Sequence, residues 1–372
     1  MTEMKSQFTK NDTNVIKGIG IILMLIHHLW SNSDRTPIPA EYQITGPFAG
    51  LTLNGPSWFH VLGSWGKICV PIFAFLAGYG LYKQHEAGKF SLPGKIKKLY
   101  LQYWKVFIIF IPIAFLFFKN QEIINLFSGN YRQFHINECI VNFFAVDTEK
   151  YNGEWWFVMG FTICCILGSI YVPLTSGWNR YKDFLLVFMI NFILFGVTPL
   201  FIYNELFKNF RSGFIFNMFI KQKGITAFFT GIIWAKHGLS DQWKQIIMQK
   251  KPVLRVLLFL AGTLAYICLR NFNGFNYWDF AIIPFYITLL LGFVETIPFL
   301  RHLFGFLGLH SENMWLVHSF FCYYFTPFVK IIYGTQNALI ALLLLLAFSL
   351  AASLLLNKFY QACGFLCRKL KI

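Results

Sequence analysis

Apolar segments long enough to cross a bilayer recur along almost the whole chain. A transmembrane helix needs about 20 mostly apolar residues, with a range of about 17–25. About ten such segments can be read, near residues 14–31, 62–82, 99–118, 155–174, 184–203, 213–235, 253–270, 278–298, 312–330 and 337–356. Only 13% of the 372 residues are charged, against roughly 25% in soluble domains. The sequence therefore predicts an all-α polytopic membrane helix bundle with about ten transmembrane helices, and it excludes a soluble globular fold.

The distribution of basic residues predicts the orientation of these segments. Lysine and arginine total 32 against 16 aspartate and glutamate, a net charge of +16. Alternate loops hold about 21 basic residues on one side and about ten on the other, and cytoplasmic loops are the ones enriched in Lys and Arg. We therefore expect a multi-pass protein of the cell membrane, a bacterial cytoplasmic membrane, with both termini in the cytoplasm. Residues 1–372 are expected to form one membrane domain without a separate soluble domain or a nucleic-acid partner.

The first apolar segment contains a cation and an imidazole on one helix face. Lys17 and His28 are eleven residues apart, which is three helical turns and about 16 Å along the axis. Ionisable side chains in a membrane are costly and are therefore candidates for function, and an imidazole can take a proton from a hydroxyl near neutral pH. The alternative, of equal weight, is an interfacial histidine bonded to a backbone carbonyl. His27 points about 100° away and is the natural control.

A second polar cluster lies near the start of the ninth segment. Ser311 and His318 are seven residues apart, close to two helical turns, and so share a face. The alternative is helix capping, because Ser311 followed by Glu312 and Asn313 resembles a helix start. Capping would account for Ser311 and leave His318 unexplained, which favours a functional role for His318.

A third cluster opens the fourth segment, where Glu154 precedes Trp155 and Trp156. A carboxylate there could orient a histidine or a sugar hydroxyl, and the indole faces could stack on a sugar ring. The alternative is an aromatic anchor at the membrane interface, which is common for tryptophan. The adjacent carboxylate makes the two interpretations nearly equal.

Lysines follow the second segment in a dense group, at positions 83, 89, 95, 97 and 98. Topology alone accounts for this charge, but clustered lysines also attract the phosphates of a polyanionic cytosolic donor. Lys67 is different, because it lies within the second segment and has to extend outward to keep its ammonium group in water. We find no His-Glu-x-x-His zinc motif and no phosphate-binding loop in the sequence, so no metal is expected.

Four segments form a recognisable pattern in this order: Lys17 to His28, residues 70–79, residues 154–157 and residues 308–318. Together they resemble the membrane acyltransferase-3 family, whose members move acyl groups, usually acetyl, onto glycans and other extracytoplasmic acceptors. The family has Arg where this chain has Lys17, and it has Ser where this chain has Ala77. The resemblance covers nearly the whole chain, and the four motifs in order are more specific than any one of them.

The resemblance implies an acyl-coenzyme A donor, usually acetyl-coenzyme A, bound from the cytoplasm, and a carbohydrate acceptor on the outer side. His28 would be the central catalytic residue, as a general base or as a transient acyl carrier. The full set of expected site residues is His28, Glu154, Ser311 and His318 for catalysis, Lys17, Lys95, Lys97 and Lys98 for the donor, and Lys67, Trp155 and Trp156 for the acceptor. The membrane domain would act alone, as a homo-oligomer or with a separate partner protein.

The main alternative is a transporter or flippase of a polysaccharide or a lipid-linked glycan. Such a protein would share the topology and the aromatic surfaces. Transporters more often show repeat symmetry and paired broken helices, neither of which is evident in this sequence. A sensory or scaffolding membrane protein would leave His28 and His318 without a purpose.

Overall fold

The computed structural model describes residues 7–31, 58–118, 131–197, 224–271 and 275–369, and every regular element in these ranges is helical. The α-helices are α1 (Lys10–Trp30), α2 (Trp58–Gly66), α3 (Cys69–Glu86), α4 (Leu92–Phe117), α5 (Ile136–Phe143), α6 (Phe157–Leu174), α7 (Arg180–Phe192), α8 (Ile225–Lys236), α9 (Leu239–Met248), α10 (Pro252–Asn271), α11 (Asp279–Val294), α12 (Pro298–Ser319), α13 (Thr326–Gly334) and α14 (Ala338–Lys369). Short 3₁₀ segments occur at Gly153–Trp156 and Phe275–Trp278, and π-helical segments at Ile193–Val197 and Phe320–Tyr324. The predicted all-α class is confirmed for the described residues.

Six helical segments of the described chain are long and apolar enough to cross a membrane. They are Lys10–Trp30, Trp58–Glu86, Leu92–Phe117, Gly153–Leu174, Pro252–Arg270 and Ala338–Gly364. The apolar helices α8 and α11 are shorter. The predicted segments near 184–203 and 213–235 extend into residues 198–223, which lie outside the described residues. A polytopic helical protein is therefore supported, while the count of about ten spans and the cytoplasmic termini stay predictions.

Contacts divide the chain into two units, each assembled from three stretches of sequence. The first comprises Met1–Gly20, Ile68–Lys97 and Met159–Gly305, and the second comprises Ile21–Lys67, Lys98–Val158 and Phe306–Ile372. The expectation of one membrane domain stays a prediction.

In the first unit, α3 and α8 pack with their backbones in close contact. A Cβ atom on Gly78 would lie 1.9 Å from the carbonyl oxygen of Phe228, and one on Gly231 would lie 2.1 Å from the carbonyl oxygen of Phe75. Small residues permit such close approach, which is a main source of helix association in membranes. The two glycines therefore set the distance between these helices.

Buried charges in the first unit are paired. The Asp12 carboxylate on α1 is completely buried, and its oxygens lie 2.7 Å from the Lys244 Nζ and 3.0 Å from the Arg301 Nη2. The buried Asp183 carboxylate on α7 lies 2.7 Å from the Lys236 Nζ. Because an unpaired charge in an apolar interior is costly, these contacts bring α1, α9 and α12 together, and likewise α7 and α8.

In the second unit, α2 packs against the end of α1. A Cβ atom on Gly66 would lie 2.6 Å from the carbonyl oxygen of Leu23, and one on Gly63 would lie 2.4 Å from the backbone nitrogen of Ser31. The Gly63 carbonyl oxygen lies 2.9 Å from the His27 Nδ1. His27 is therefore a packing residue held by a backbone carbonyl, the role that was also considered for His28.

The predicted apolar segment near 312–330 is not one helix. Helix α12 begins at Pro298, passes into the π-helical segment Phe320–Tyr324, and ends at Phe325. Helix α13 then begins at Thr326 with a proline in its first turn. Proline has no N–H to donate, so it fits the first turn of a helix and interrupts one that is already running. The interruption of the helix at Phe325 follows from Pro327.

Candidate active site

The candidate site is centred on His28, near the end of α1. Its side chain is almost completely buried, and three groups of the second unit surround it. The His28 Nε2 lies 3.5 Å from a carboxylate oxygen of Glu154, and the Nδ1 lies 3.2 Å from the Tyr323 hydroxyl. The imidazole of His318 lies beside it, with 4.7 Å between the ring centroids. Three of the four catalytic residues predicted from sequence are therefore neighbours.

The Tyr323 hydroxyl contacts the Nδ1 of the His28 imidazole. The same hydroxyl donates a 2.6 Å hydrogen bond to the backbone carbonyl of His28. A tyrosine hydroxyl has one hydrogen, so its oxygen is left as an acceptor for an Nδ1–H of the same histidine. This arrangement favours the tautomer in which the Nε2 is unprotonated, and it leaves that nitrogen beside Glu154. If the Nε2 gains a proton, the carboxylate stabilises the resulting imidazolium.

His318 is fully buried on the last turn of α12. Its Nδ1 lies 2.7 Å from the backbone carbonyl of Trp315. A carbonyl only accepts hydrogen bonds, so the proton of neutral His318 is on the Nδ1. Its Nε2 is buried and has no hydrogen-bond partner within the described ranges. An orphaned buried nitrogen is unusual in a folded protein and is consistent with a site that a ligand completes.

A buried polar network positions Glu154. The Asn152 side chain caps the 3₁₀ segment, with its Oδ1 accepting from the Glu154 N–H at 3.1 Å and its Nδ2 donating to the Ser319 Oγ at 2.7 Å. The Gly153 N–H donates to the Tyr324 hydroxyl at 3.2 Å. Through these contacts the loop that holds Glu154 is fixed to the residues directly after His318.

Comparison with known protein families covers nearly the whole chain. A family model described as an acyltransferase domain, that of the acyltransferase-3 family, matches residues 11–358. The chain belongs to the acyltransferase-3 family. No curated protein and no solved structure matches the chain significantly. The family match confirms the resemblance seen in the motifs and supports a membrane acyltransferase.

Two predicted residues of the acyltransferase have different surroundings from those expected. Ser311 does not cap a helix, because it lies within α12, where its hydroxyl donates to the Gly308 carbonyl at 2.8 Å. Trp155 is fully buried, its Nε1 donates to the Leu316 carbonyl, and its ring packs on Phe320. A ring enclosed in this way has no face left for a sugar. Trp155 is therefore a packing residue, and the sugar-stacking prediction for it is wrong.

The remaining predicted residues lie at helix ends or surfaces. Lys67 is exposed in the turn between α2 and α3, within the segment Trp58–Glu86. Trp156 is half-buried beside Phe157. Lys17 is half-buried on α1, and the donor lysines occupy the first turns of α4: Lys95, Lys97 and Lys98. The roles of Trp156 and of these lysines stay predictions.

The candidate site also contains residues that are not predicted from the sequence, namely Asn152, Ser319, Tyr323 and Tyr324. A weak signal exists, because Ser319 directly follows His318 and the tyrosine pair stands within an apolar segment. In the described part of the chain, no group of three His, Cys, Asp or Glu side chains could hold a metal ion. The candidate site offers two imidazoles, a carboxylate and a tyrosine hydroxyl.

Proposed function

We propose that this acyltransferase transfers an acyl group, acetyl being the usual one in the family, from cytoplasmic acyl-coenzyme A to a hydroxyl of a cell-surface or exported carbohydrate. The observation that supports this most directly is the buried His28 imidazole, with its Nδ1 at Tyr323 and its Nε2 beside Glu154. A neutral imidazole oriented by hydrogen bonds and accompanied by a carboxylate is suited to general-base catalysis.

In the proposed reaction, the oxygen of the acceptor hydroxyl attacks the thioester carbonyl while the His28 Nε2 takes the hydroxyl proton. The new C–O bond forms and the C–S bond breaks, and the departing sulfur receives the proton from the imidazolium. Glu154 stabilises the positive charge while the imidazole is protonated. The buried Nε2 of His318, whose ring carries its proton on the Nδ1, is available to accept a hydrogen bond from the reacting groups.

The proposal is tested by mass spectrometry of surface glycans from cells that lack the protein or express His28→Ala or His27→Ala. We expect acyl groups to be lost without the protein and with His28→Ala, because a general base contributes about 10²–10⁴-fold in rate. His27→Ala is the matched control, since its ring contacts the Gly63 carbonyl. Near-normal acylation by the His28 variant would exclude His28 as the base. Loss of the glycan itself, with its acylation unchanged on what remains, would favour the transporter alternative.

A further inference from the structure

A polar cavity of about 260 Å³ lies in the second unit, among α4, α12 and α14. It is separate from the site around His28, none of whose residues line it. Its lining consists of Gln102, Lys105, Asn313, Leu356, Asn357, Tyr360 and Gln361. Six of these seven side chains can form hydrogen bonds, and none is acidic. A cavity of this composition, beside two helices long and apolar enough to span a membrane, is a candidate for binding a polar ligand.

Three side-chain amides, one from each helix, form a chain across this cavity. The Gln102 Nε2 donates to the Asn313 Oδ1, and the Asn313 Nδ2 donates to the Asn357 Oδ1 at 3.0 Å. Each amide group has one carbonyl oxygen and one NH₂. The Gln102 carbonyl oxygen and the Asn357 NH₂, at the two ends, therefore have no partner among the described residues. An acceptor and a donor placed in this way match the N–H and C=O groups of amides in a ligand.

Lys105 adds a positive charge to the lining. Its Nζ lies 5.4 Å from the centre of the Tyr360 ring, and the Tyr360 hydroxyl donates to the Lys105 carbonyl at 2.8 Å. Lys105 forms no ion pair with any carboxylate that the structure describes. An exposed ammonium without a carboxylate partner, beside a lining free of acidic residues, favours an anion such as a phosphate.

We propose that this cavity binds the pantetheine arm of acyl-coenzyme A, with Lys105 contacting the phosphate at its end. This inference rests on the proposed function. The arm is a narrow chain with two amides and a terminal phosphate, which is the combination of groups that the lining offers. The cavity is smaller than the usual 300–1,000 Å³ of a whole-ligand site, so it suits a chain segment and not the nucleotide.

The position of the cavity along α12 fits this role. Asn313 precedes His318 by five residues on the same helix, a rise of about 7.5 Å. Five residues also rotate the helix by about 140°, so an arm bound at Asn313 would have to pass around α12 for its thioester to reach the His318 and His28 imidazoles. A phospholipid headgroup could also supply a phosphate, but it would leave the amide chain unused.

The test uses the full chain in phosphatidylcholine nanodiscs with labelled acetyl-coenzyme A bound. The affinities of 4′-phosphopantetheine and of pantetheine, which lacks the phosphate, are measured by how well each displaces the label. We expect Lys105→Gln to weaken 4′-phosphopantetheine binding about tenfold and pantetheine binding little, since it removes a charge-assisted contact with the phosphate that is partly screened at this exposed position. Asn357→Ala should weaken both about threefold to tenfold. Lys358→Gln is the matched control. Lys358 is an exposed lysine on α14, next to Asn357, and it does not line the cavity. Lys105→Arg should keep most of the affinity.

The outcomes separate this inference from the proposed function. Suppose that the wild-type protein binds the donor and transfers the acyl group, and that Lys105→Gln and Asn357→Ala bind the donor with wild-type affinity. That result would overturn the cavity assignment and leave the role of His28 intact. Displacement of the label by phosphatidylglycerol, with no displacement by 4′-phosphopantetheine, would assign the cavity to a lipid instead. Wild-type protein that neither binds acetyl-coenzyme A nor transfers its acyl group would overturn the proposed function, and this inference with it.

Discussion

The Tyr323 hydroxyl contacts His28 twice, donating to its backbone carbonyl at 2.6 Å and lying 3.2 Å from its Nδ1. The two residues are 295 positions apart in sequence. The contact depends on the π-helical segment Phe320–Tyr324, in which Tyr323 lies. Short π-helical segments occur frequently at functional sites. In this protein such a segment places a tyrosine hydroxyl at the candidate catalytic imidazole.

Replacing Tyr323 by phenylalanine should slow acyl transfer while preserving the packing of the ring. The loss of two hydrogen bonds, each contributing about 0.5–1.5 kcal/mol, predicts a decrease in kcat of roughly tenfold to hundredfold with little change in the KM for donor. Tyr131→Phe is the control, because that buried hydroxyl donates to the Tyr151 carbonyl of the same unit and does not contact His28. Equal kcat values for the Tyr323 variant and wild type would remove Tyr323 from the positioning of His28.

Replacing Lys95, Lys97 and Lys98 together by glutamine should raise the KM for acyl-coenzyme A more than it lowers kcat. These lysines lie in the first turns of α4, and binding that depends on exposed charge should also weaken as salt concentration rises. The measurement is donor affinity on the purified, monodisperse variant. If the lysines only determine topology, the variant will insert poorly, and the fraction that folds will bind the donor with unchanged affinity.

Replacing Asp12 by asparagine should destabilise the first unit. The buried carboxylate contacts both Lys244 and Arg301, and removing one partner of a buried ion pair typically costs about 3–5 kcal/mol. Unfolding in detergent should show a clear decrease in Tm. Glu86→Gln is the comparison, since the Glu86–Lys83 pair is exposed and such pairs contribute about 0–1 kcal/mol. Equal Tm values for the two variants would contradict a stabilising role for the Asp12 contacts.

Adding one methyl group at Gly78 should disturb the packing of α3 against α8. The new Cβ would lie 1.9 Å from the Phe228 carbonyl oxygen, so the helices would have to separate, at a cost of about 1–3 kcal/mol or more. Gly80 lies on the same helix, and a Cβ there would meet nothing within 4 Å. We therefore expect Gly78→Ala to lower the Tm and the yield of folded protein, and Gly80→Ala to leave both near wild-type values.

The helical membrane class, the family and three residues of the candidate site could be predicted from local sequence patterns. Hydropathy is a local property that accumulates along the chain, so runs of about 20 apolar residues predict spanning helices without knowledge of their neighbours. His28, Glu154 and His318 are likewise predicted from local motifs, and the structure places the three side chains together.

Which of these polar groups contact one another could not be predicted from local patterns, because it depends on how the helices pack. His27 and His28 are adjacent in sequence, yet one contacts the Gly63 carbonyl and the other contacts Glu154 and Tyr323. The burial of Trp155 likewise arises from contacts between helices. Such contacts depend on helix register and on groups hundreds of residues apart in sequence. A local pattern of apolar residues contains no information about either.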